Sequence, residues 1–343
     1  MKKEKIIIPL LIISCLNLLL LWGIESYYFW RQLIFWLIGF LIFALVIRLK
    51  FSLSNLGSLA LGWYVLSLIL LILPLVFGQL VRGSSRWLFI REQSFQPSEL
   101  AKPLFILASA GFLAKLKIDK ISNFLKILIL FFLPIVLLLM QPNLGTALVF
   151  AFISGVMLFF SKARKKHLFF TFLILIPLSF VFTRYFIADY QRARILNFLN
   201  PQADPLGGGY NLAQAMVAFG SGKFFGRGLG LGSQTRLFFL PERHTDFIFA
   251  SLGESFGFFG ALLLLFSYFY IFSSLIKKAA LVKEEFIFML KIGLISYLWF
   301  QAVINMGINL GLLPVTGLPL PFFSYGGSSL LSSFLTLGLI VKE

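Results

Sequence analysis

The sequence predicts an all-α polytopic membrane protein of about ten transmembrane helices, with both termini cytoplasmic and a large extracytoplasmic loop between the seventh and eighth helices. Three observations predict it. Of the 343 residues, 59% are hydrophobic and only 13% charged, whereas roughly 25% are charged in a soluble domain. Apolar runs of the roughly 20 residues needed to cross a hydrocarbon core about 30 Å thick recur along the whole chain. Every second connection between these runs carries several Lys or Arg, as short cytoplasmic loops do.

The first run, Ile6 to Ile24, follows Lys2, Lys3 and Lys5. It exceeds a secretory h-region of about 7–15 residues and lacks a small-residue cleavage site, so it reads as a retained span. The others lie near 31–48, 57–77, 98–114, 122–140, 144–161, 167–187, 246–273, 286–306 and 326–341, the fourth and tenth being short or interrupted by polar groups. With the N-terminus inside, the inner connections hold Arg48 and Lys50, then Lys115, Lys117 and Lys120, then Lys162, Arg164, Lys165 and Lys166, then Lys277, Lys278 and Lys283. The short outer connections at Gln141 to Asn143 and at Gly307 to Tyr325 carry no charge. The remaining outer loops carry arginines, the largest, from about Ala188 to Thr245, being long enough to be only weakly bound by the rule.

A net charge of +17 would suit nucleic acid if it lay on one polar face. It is instead distributed between spans, so no nucleic-acid partner is expected. The single cysteine, Cys15, excludes an intramolecular disulfide. Residues 1–343 read as one transmembrane domain, with no soluble domain, and its chemistry must come from spans and outer loops. The outer loop of about 188–245 carries much of the motif-like sequence, along with Arg82 to Pro97, Gln141 to Gly145 and Gly307 to Ser329.

Acidic residues are few enough to weigh singly. Glu4, Asp119, Glu284, Glu285 and Glu343 lie among cytoplasmic lysines and read as solvated charge, and Glu25, Glu92, Asp189 and Asp204 sit in outer loops. Glu99, Glu242, Asp246 and Glu254 remain at or inside the membrane boundary, where an ionisable group is costly and marks function by default. Asp246 closes Pro241-Glu242-Arg243-His244-Thr245-Asp246 and opens an apolar helix. The helix dipole favours its carboxylate while apolar neighbours and Glu242 favour protonation, which suits a general base. Equally, Asp246 or Thr245 suits an N-cap, and both readings stand. Glu254, among Gly253, Gly257 and Gly260, reads as a buried polar partner on a closely packed helix. Glu99 and Lys102 stand three residues apart and can pair on one helical face.

His167 and His244 fall on opposite sides, which leaves no histidine metal site. No cofactor is required by the pattern, although carboxylates beside phosphates suit Mg²⁺ or another divalent cation. The glycines at 226, 228, 230 and 232 lack a G-K-[ST] ending and read as an irregular, turn-rich segment. Arg82, Arg86, Arg192, Arg194, Lys223 and Arg227 supply outer-face cations able to hold a pyrophosphate, with Trp87 as an interfacial aromatic. Ser324-Tyr325-Gly326-Gly327-Ser328-Ser329 places small residues at a helix start, where free N–H groups can face an anion. Snorkelling arginines and a plain helix start explain the same residues.

Several motifs, in order along the chain, resemble the SEDS family of cell-wall membrane proteins. They are Gln96-Pro97-Ser98-Glu99, Gln141-Pro142-Asn143-Leu144-Gly145-Thr146, Arg194-Ile195-Leu196, Asp204-Pro205-Leu206-Gly207, Gly209-Tyr210-Asn211, Leu240 through Phe249, and Gly311 through Ser329. Val315-Thr316-Gly317-Leu318-Pro319-Leu320-Pro321 is similar to the family's elongation branch, where the division branch typically has Lys-Gly-Leu-Thr-Leu-Pro. The resemblance implies ten spans and a peptidoglycan glycosyltransferase that joins lipid II units outside the cytoplasmic membrane. It implies a class B penicillin-binding protein as partner, within a set of elongation-complex membrane proteins.

It also places the family's catalytic aspartate on Asp246 and its sensitive Glu and Lys on Glu99 and Lys102. Arg86, Gln96, Ser98, Arg192, Arg194, Glu242, His244, Thr245, Ser324, Gly326, Gly327 and Ser328 are the accompanying substrate-site candidates. Asn143 stands where the family usually has Asp, and Ser255 where a second Glu often follows Glu254. A lipid II flippase and a non-catalytic scaffold fit the same architecture.

Overall fold

The computed structural model describes residues 4–81, 84–90, 93–185, 189–200 and 208–342. Among the described residues, ten long helices stand where the apolar runs place them: α1 Glu4–Ile24, α2 Ser26–Arg48, α4 Ala60–Phe77, α5 Pro97–Lys115, α6 Ile121–Met140, α7 Leu144–Phe160, α8 Lys165–Tyr185, α12 Ile248–Ala280, α13 Glu285–Asn309 and α14 Gly327–Val341. Six of them, α1, α2, α4, α6, α12 and α13, have both the length and the apolarity to cross a membrane unaided. The fold is a multi-pass helical membrane protein. Pro9, Pro74, Pro134 and Pro177 lie inside helices, a placement that membrane helices tolerate when neighbouring groups re-satisfy the freed carbonyl.

The sequence does not predict a three-stranded antiparallel sheet, yet one occupies the outer connection before α5: β1 Gln79–Val81, β2 Ser84–Ile90 and β3 Gln93–Phe95. The 188–245 connection is also more helical than a plain loop. It contains α9 Asp189–Leu199, α10 Gly208–Ser221 and the short α11 Ser233–Arg236, while α3 Leu53–Ser58 precedes α4.

The chain forms two compact units. The first comprises Met1–Arg48, Ala193–Lys278 and Leu298–Val341. In it α2 packs on α1 and α14, and Phe334 meets Trp36 edge-on at 5.3 Å and Phe40 at 5.0 Å. The second comprises Leu49–Arg192, Ala279–Tyr297 and the C-terminal residues. Here α4 packs on α5 and α6 on α7, around Phe105, whose ring lies 4.8 Å from Phe150 and 5.6 Å from Phe131. Pro97 starts α5, where its missing N–H costs nothing. Asn143 caps α7, accepting the Thr146 amide at 3.4 Å, a role that the family's usual aspartate would fill equally well.

Helix α12 breaks at Gly257, whose φ of +69° is left-handed. The groups freed by the break are taken by the glycine-rich segment. Phe258 and Phe259 amides donate to the carbonyls of Lys223 (2.9 Å) and Phe224 (3.0 Å), and the Glu254 and Ser255 carbonyls accept from Arg227 (2.8 Å) and Gly228 (3.1 Å). Gly257 therefore serves a helix break, which the expectation of close helix packing did not anticipate. Irregular backbone at membrane depth needs this kind of internal satisfaction.

Candidate functional site

Pro241 to Phe247 form turns, and the helix begins at Ile248, two residues later than expected. Glu242 adopts φ +51°, and its carbonyl accepts the amides of Thr245 (3.1 Å) and Phe247 (3.2 Å). Thr245 Oγ1 donates to Glu242 Oε2 at 2.8 Å, so these two candidates hold each other and the Thr245 hydroxyl is committed within the turn. Asp246 is half-buried. Its carbonyl accepts Asn309 Nδ2 at 2.9 Å and Asn305 Nδ2 at 3.1 Å. The Ala250 amide donates to Asn309 Oδ1 at 2.8 Å, and Phe247, whose carbonyl accepts the Ser251 amide at 3.1 Å, takes the position at the head of the helix. Below the turn, Phe247 and Ala250 pack with Ala215 and Ala218 of α10, Leu240, and Ile308 of α13.

The segment 310–326 lies against this turn. Ser324 Oγ donates to the Thr245 carbonyl at 2.8 Å and accepts the Leu320 amide at 2.8 Å, and the Tyr325 amide donates to the His244 carbonyl at 2.9 Å. The His244 ring stacks on Tyr28 at 4.2 Å and meets Tyr325 edge-on at 5.5 Å. Burial pushes the His244 imidazole below its ordinary value; Glu242 opposes this, Arg243 adds to it and Glu25 opposes it. Burial pushes the Tyr325 phenol up. Arg243 is buried, 3.7 Å from Glu25 and over the Phe238 ring at 3.9 Å, so Glu25 balances an arginine.

The expectation that the start of α14 offers open N–H groups changes at one position. The Gly326 amide donates to Gln32 Oε1 at 3.3 Å, and Gly327 and Ser328 follow, half-buried, in the first turn. Behind them is a buried polar network. Asn17 Nδ2 donates to the Phe323 carbonyl at 2.5 Å, Gln32 Nε2 to Asn17 Oδ1 and the Ser324 carbonyl at 3.3 Å each, and Trp36 Nε1 to Asn17 Oδ1 at 3.0 Å.

Of the cations, Arg194 is half-buried and its Nη1 donates to the Val315 carbonyl at 3.3 Å. With Asn197, Phe198, Asn211, Leu212 and Val315 it lines a cavity of about 80 Å³. Arg227 is exposed, its guanidinium donating to the Ser221 carbonyl and Ser233 Oγ, and Lys223 is exposed. Arg82, Glu92 and Asp204 with its motif lie outside the described residues, as does the Asp189 side chain.

Arg86, Gln96, Ser98, Glu99, Lys102 and Arg192 belong to the second unit. Arg86 is half-buried on β2 and Arg192 exposed on α9. Gln96 Nε2 donates to Ser98 Oγ at 3.1 Å, both residues being buried. Lys102 Nζ lies 2.6 Å from Glu99 Oε1, with the two residues 0% and 1% exposed, and 4.8 Å from the centre of the Tyr297 ring. The helical spacing indeed makes a buried pair. Among the described residues no three His, Cys, Asp or Glu side chains gather to hold a metal ion. The donor set of the described residues does not by itself build a Mg²⁺ site.

Asn17, Gln32, Asn305 and Asn309 escape the reading of charged groups, although each is a fully or almost fully buried amide. Gln301, Asn305 and Asn309 recur every fourth residue on α13, the spacing of one helical face, and polar groups on such a face within a span are the signal that finds them.

The sequence matches the cell cycle protein family of FtsW, RodA and SpoVE over residues 6–342. It is 37% identical to the probable peptidoglycan glycosyltransferase FtsW of Trichlorobacter lovleyi, covering 92% of this chain and 83% of that protein. It is equally 37% identical to the peptidoglycan glycosyltransferase MrdB of Escherichia coli K12, covering 82% and 77%. A solved structure described as the structural coordination of polymerization and crosslinking by a peptidoglycan synthase complex contains a chain 32% identical, with a TM-score of 0.81, over 98% of this chain and 95% of that one. The chain belongs to the FtsW/RodA/SpoVE cell cycle protein family, the SEDS family that its motifs resemble.

Proposed function

We propose that this protein is a peptidoglycan glycosyltransferase that polymerises lipid II into β-1,4 glycan strands by an inverting reaction at the extracytoplasmic face. Asp246 takes the proton from the GlcNAc 4-hydroxyl of an incoming lipid II. That oxygen forms a bond to C1 of the terminal MurNAc while the bond from C1 to the pyrophosphate oxygen breaks, and undecaprenyl pyrophosphate leaves with the electron pair. The outer-face arginines are assigned to the anionic leaving group, and the 188–245 loop to the substrate. The observation that carries this reading is the fixed backbone of Asp246, a half-buried carboxylate in a turn held from two sides by Asn305 and Asn309 and by the 310–326 segment.

Relatives named FtsW and MrdB are equally identical to this chain. The Val315 to Pro321 stretch favours the elongation branch over a division-type paralogue. The partner proposed is a class B penicillin-binding protein, in keeping with a structural relative that comes from a peptidoglycan synthase complex.

The test is glycan formation from lipid II in detergent by the purified protein with its partner. Polymer separates an enzyme from a lipid II flippase or a scaffold, neither of which makes glycan. Partial retention of polymerisation by Asp246→Asn removes Asp246 from the base role.

A further inference from the structure

We propose that Asn309, assisted by Asn305, is the positioning residue for Asp246, its side-chain amide standing in for one rung of the α12 hydrogen-bond ladder. The inference rests on the reading of Asp246 as the base. In a regular helix the Ala250 amide would donate to the carbonyl four residues earlier, that of Asp246. Here it donates instead to Asn309 Oδ1 at 2.8 Å, while Asn309 Nδ2 donates to the Asp246 carbonyl at 2.9 Å. One carboxamide supplies both the acceptor and the donor that the helix would have paired internally. The effect is to hold Asp246 out of the helix, in the turn that precedes Ile248.

Asn305 fixes the same carbonyl from the turn of α13 before. Its Nδ2 donates to Asp246 at 3.1 Å and to the Leu318 carbonyl at 2.8 Å, and Asn309 Nδ2 reaches back to the Asn305 carbonyl at 2.8 Å. The two amides are 1% and 0% exposed, so neither has water as an alternative partner and each bond is expensive to leave unmade. Two donors from adjacent turns of one helix restrict both the position and the tilt of the Asp246 peptide. A displacement of about 1 Å at a reacting group can cost about 10²-fold in rate, which makes this restriction matter for turnover more than for substrate capture.

The variants separate the clamp from the cap. Asn309→Asp keeps an oxygen for the Ala250 amide and puts a carboxylate where Asp246 is held, so it leaves the start of α12 capped. With the purified full chain, its partner and lipid II, the expected result is a fall in kcat of about tenfold or more with KM within about twofold, as loss of an interaction realised only at turnover requires. The acid limb of the pH–rate profile moves to higher pH, because a like charge nearby favours protonated Asp246. Thermal unfolding falls to lower temperature, because the Asp246 and Asn305 carbonyls lose the Asn309 donor, so turnover is compared well below the melting transition of both proteins. Asn305→Ala leaves the cap and the Asn309–Asp246 bond in place while removing the Asn305 bonds to the Asp246 and Leu318 carbonyls and the 3.3 Å bond from Asn309 Nδ2. It gives a smaller fall in kcat at unchanged KM and serves if Asn309→Asp does not fold. Wild-type kcat with an unmoved acid limb in Asn309→Asp, or wild-type kcat in Asn305→Ala, overturns the proposal. Asp246→Asn is run alongside: activity there overturns the base reading itself, while an inactive Asp246→Asn beside a wild-type Asn309→Asp overturns only the clamp.

Discussion

The imidazole of His244 lies flat on the Tyr28 ring, 4.2 Å between centroids and 14° from parallel. Burial lowers the His244 pKa from 6.5, so the imidazole is neutral in the stack at pH 7. As pH falls below 6.5 the unfolded chain takes up a proton before the folded one does. Stability present above 6.5 is therefore lost as pH falls toward the folded value. His244→Phe keeps a ring on Tyr28 and removes the titration. Thermal unfolding in detergent between pH 7.5 and 5 should show an acid-side loss in wild type that is reduced in His244→Phe, and identical profiles would refute the assignment.

Glu254 is fully buried in α12 and receives the amides of Gln234 at 2.8 Å and Thr235 at 3.0 Å. Its carboxylate holds the start of α11 and with it the segment leading to the Asp246 turn. Glu254→Ala strands the buried Thr235 amide, at a cost of about 1–3 kcal/mol, together with the half-buried Gln234 amide, and should lower the melting temperature markedly. Glu254→Gln retains one acceptor and should fall between the two. A reacting Glu254 would instead lose turnover in Glu254→Gln with no change in melting.

The helices are legible in the sequence because a span must be apolar for its whole length, and apolarity survives without knowledge of neighbours. The sheet at 79–95 is not, since β1 and β3 have three residues each and too little alternation to carry a period-two signal. The start of α12 is misplaced for a tertiary reason: Asn309 takes the bond that would have extended the helix back to Asp246. Asn309 itself lies beyond the expected end of its span at 306, and an uncharged amide such as Asn305 barely interrupts a hydropathic run. Glu99 and Lys102 are found because charge in a span is conspicuous and i,i+3 spacing fixes their meeting. What each candidate touches depends on segments distant in sequence, such as Ser324 on Thr245.

The break in α12 makes a differential prediction about glycines. A Cβ at Gly257, already at φ +69°, would lie 2.3 Å from the Gly226 nitrogen, and one at Gly226, at φ +86°, would lie 2.2 Å from the Ser255 oxygen. Left-handed backbone alone costs an L-residue roughly 1–2 kcal/mol, and here neither neighbour is a side chain that can move. Gly257→Ala and Gly226→Ala should both unfold at lower temperature than wild type. Gly155, inside α7 with nothing within 4 Å of its added Cβ, should gain up to about 1 kcal/mol as Ala. Equal melting temperatures for all three variants would mean that the break does not depend on glycine.

The Glu99–Lys102 pair, at 2.6 Å and almost fully buried, allows its structural and functional roles to be separated. Removing one partner of a buried ion pair costs about 3–5 kcal/mol, whereas replacing both with uncharged residues of similar size is often close to neutral. Lys102→Met alone should therefore melt early, and Glu99→Gln with Lys102→Met should recover most of the loss. If the pair serves only to pack α5, polymerisation recovers along with stability. If its charges contact substrate, as the assignment of both residues to the substrate site requires, the double variant regains its melting temperature and stays inactive on lipid II. We expect the second outcome. A stable double variant with wild-type turnover would make the pair structural and withdraw Glu99 and Lys102 from the proposed site.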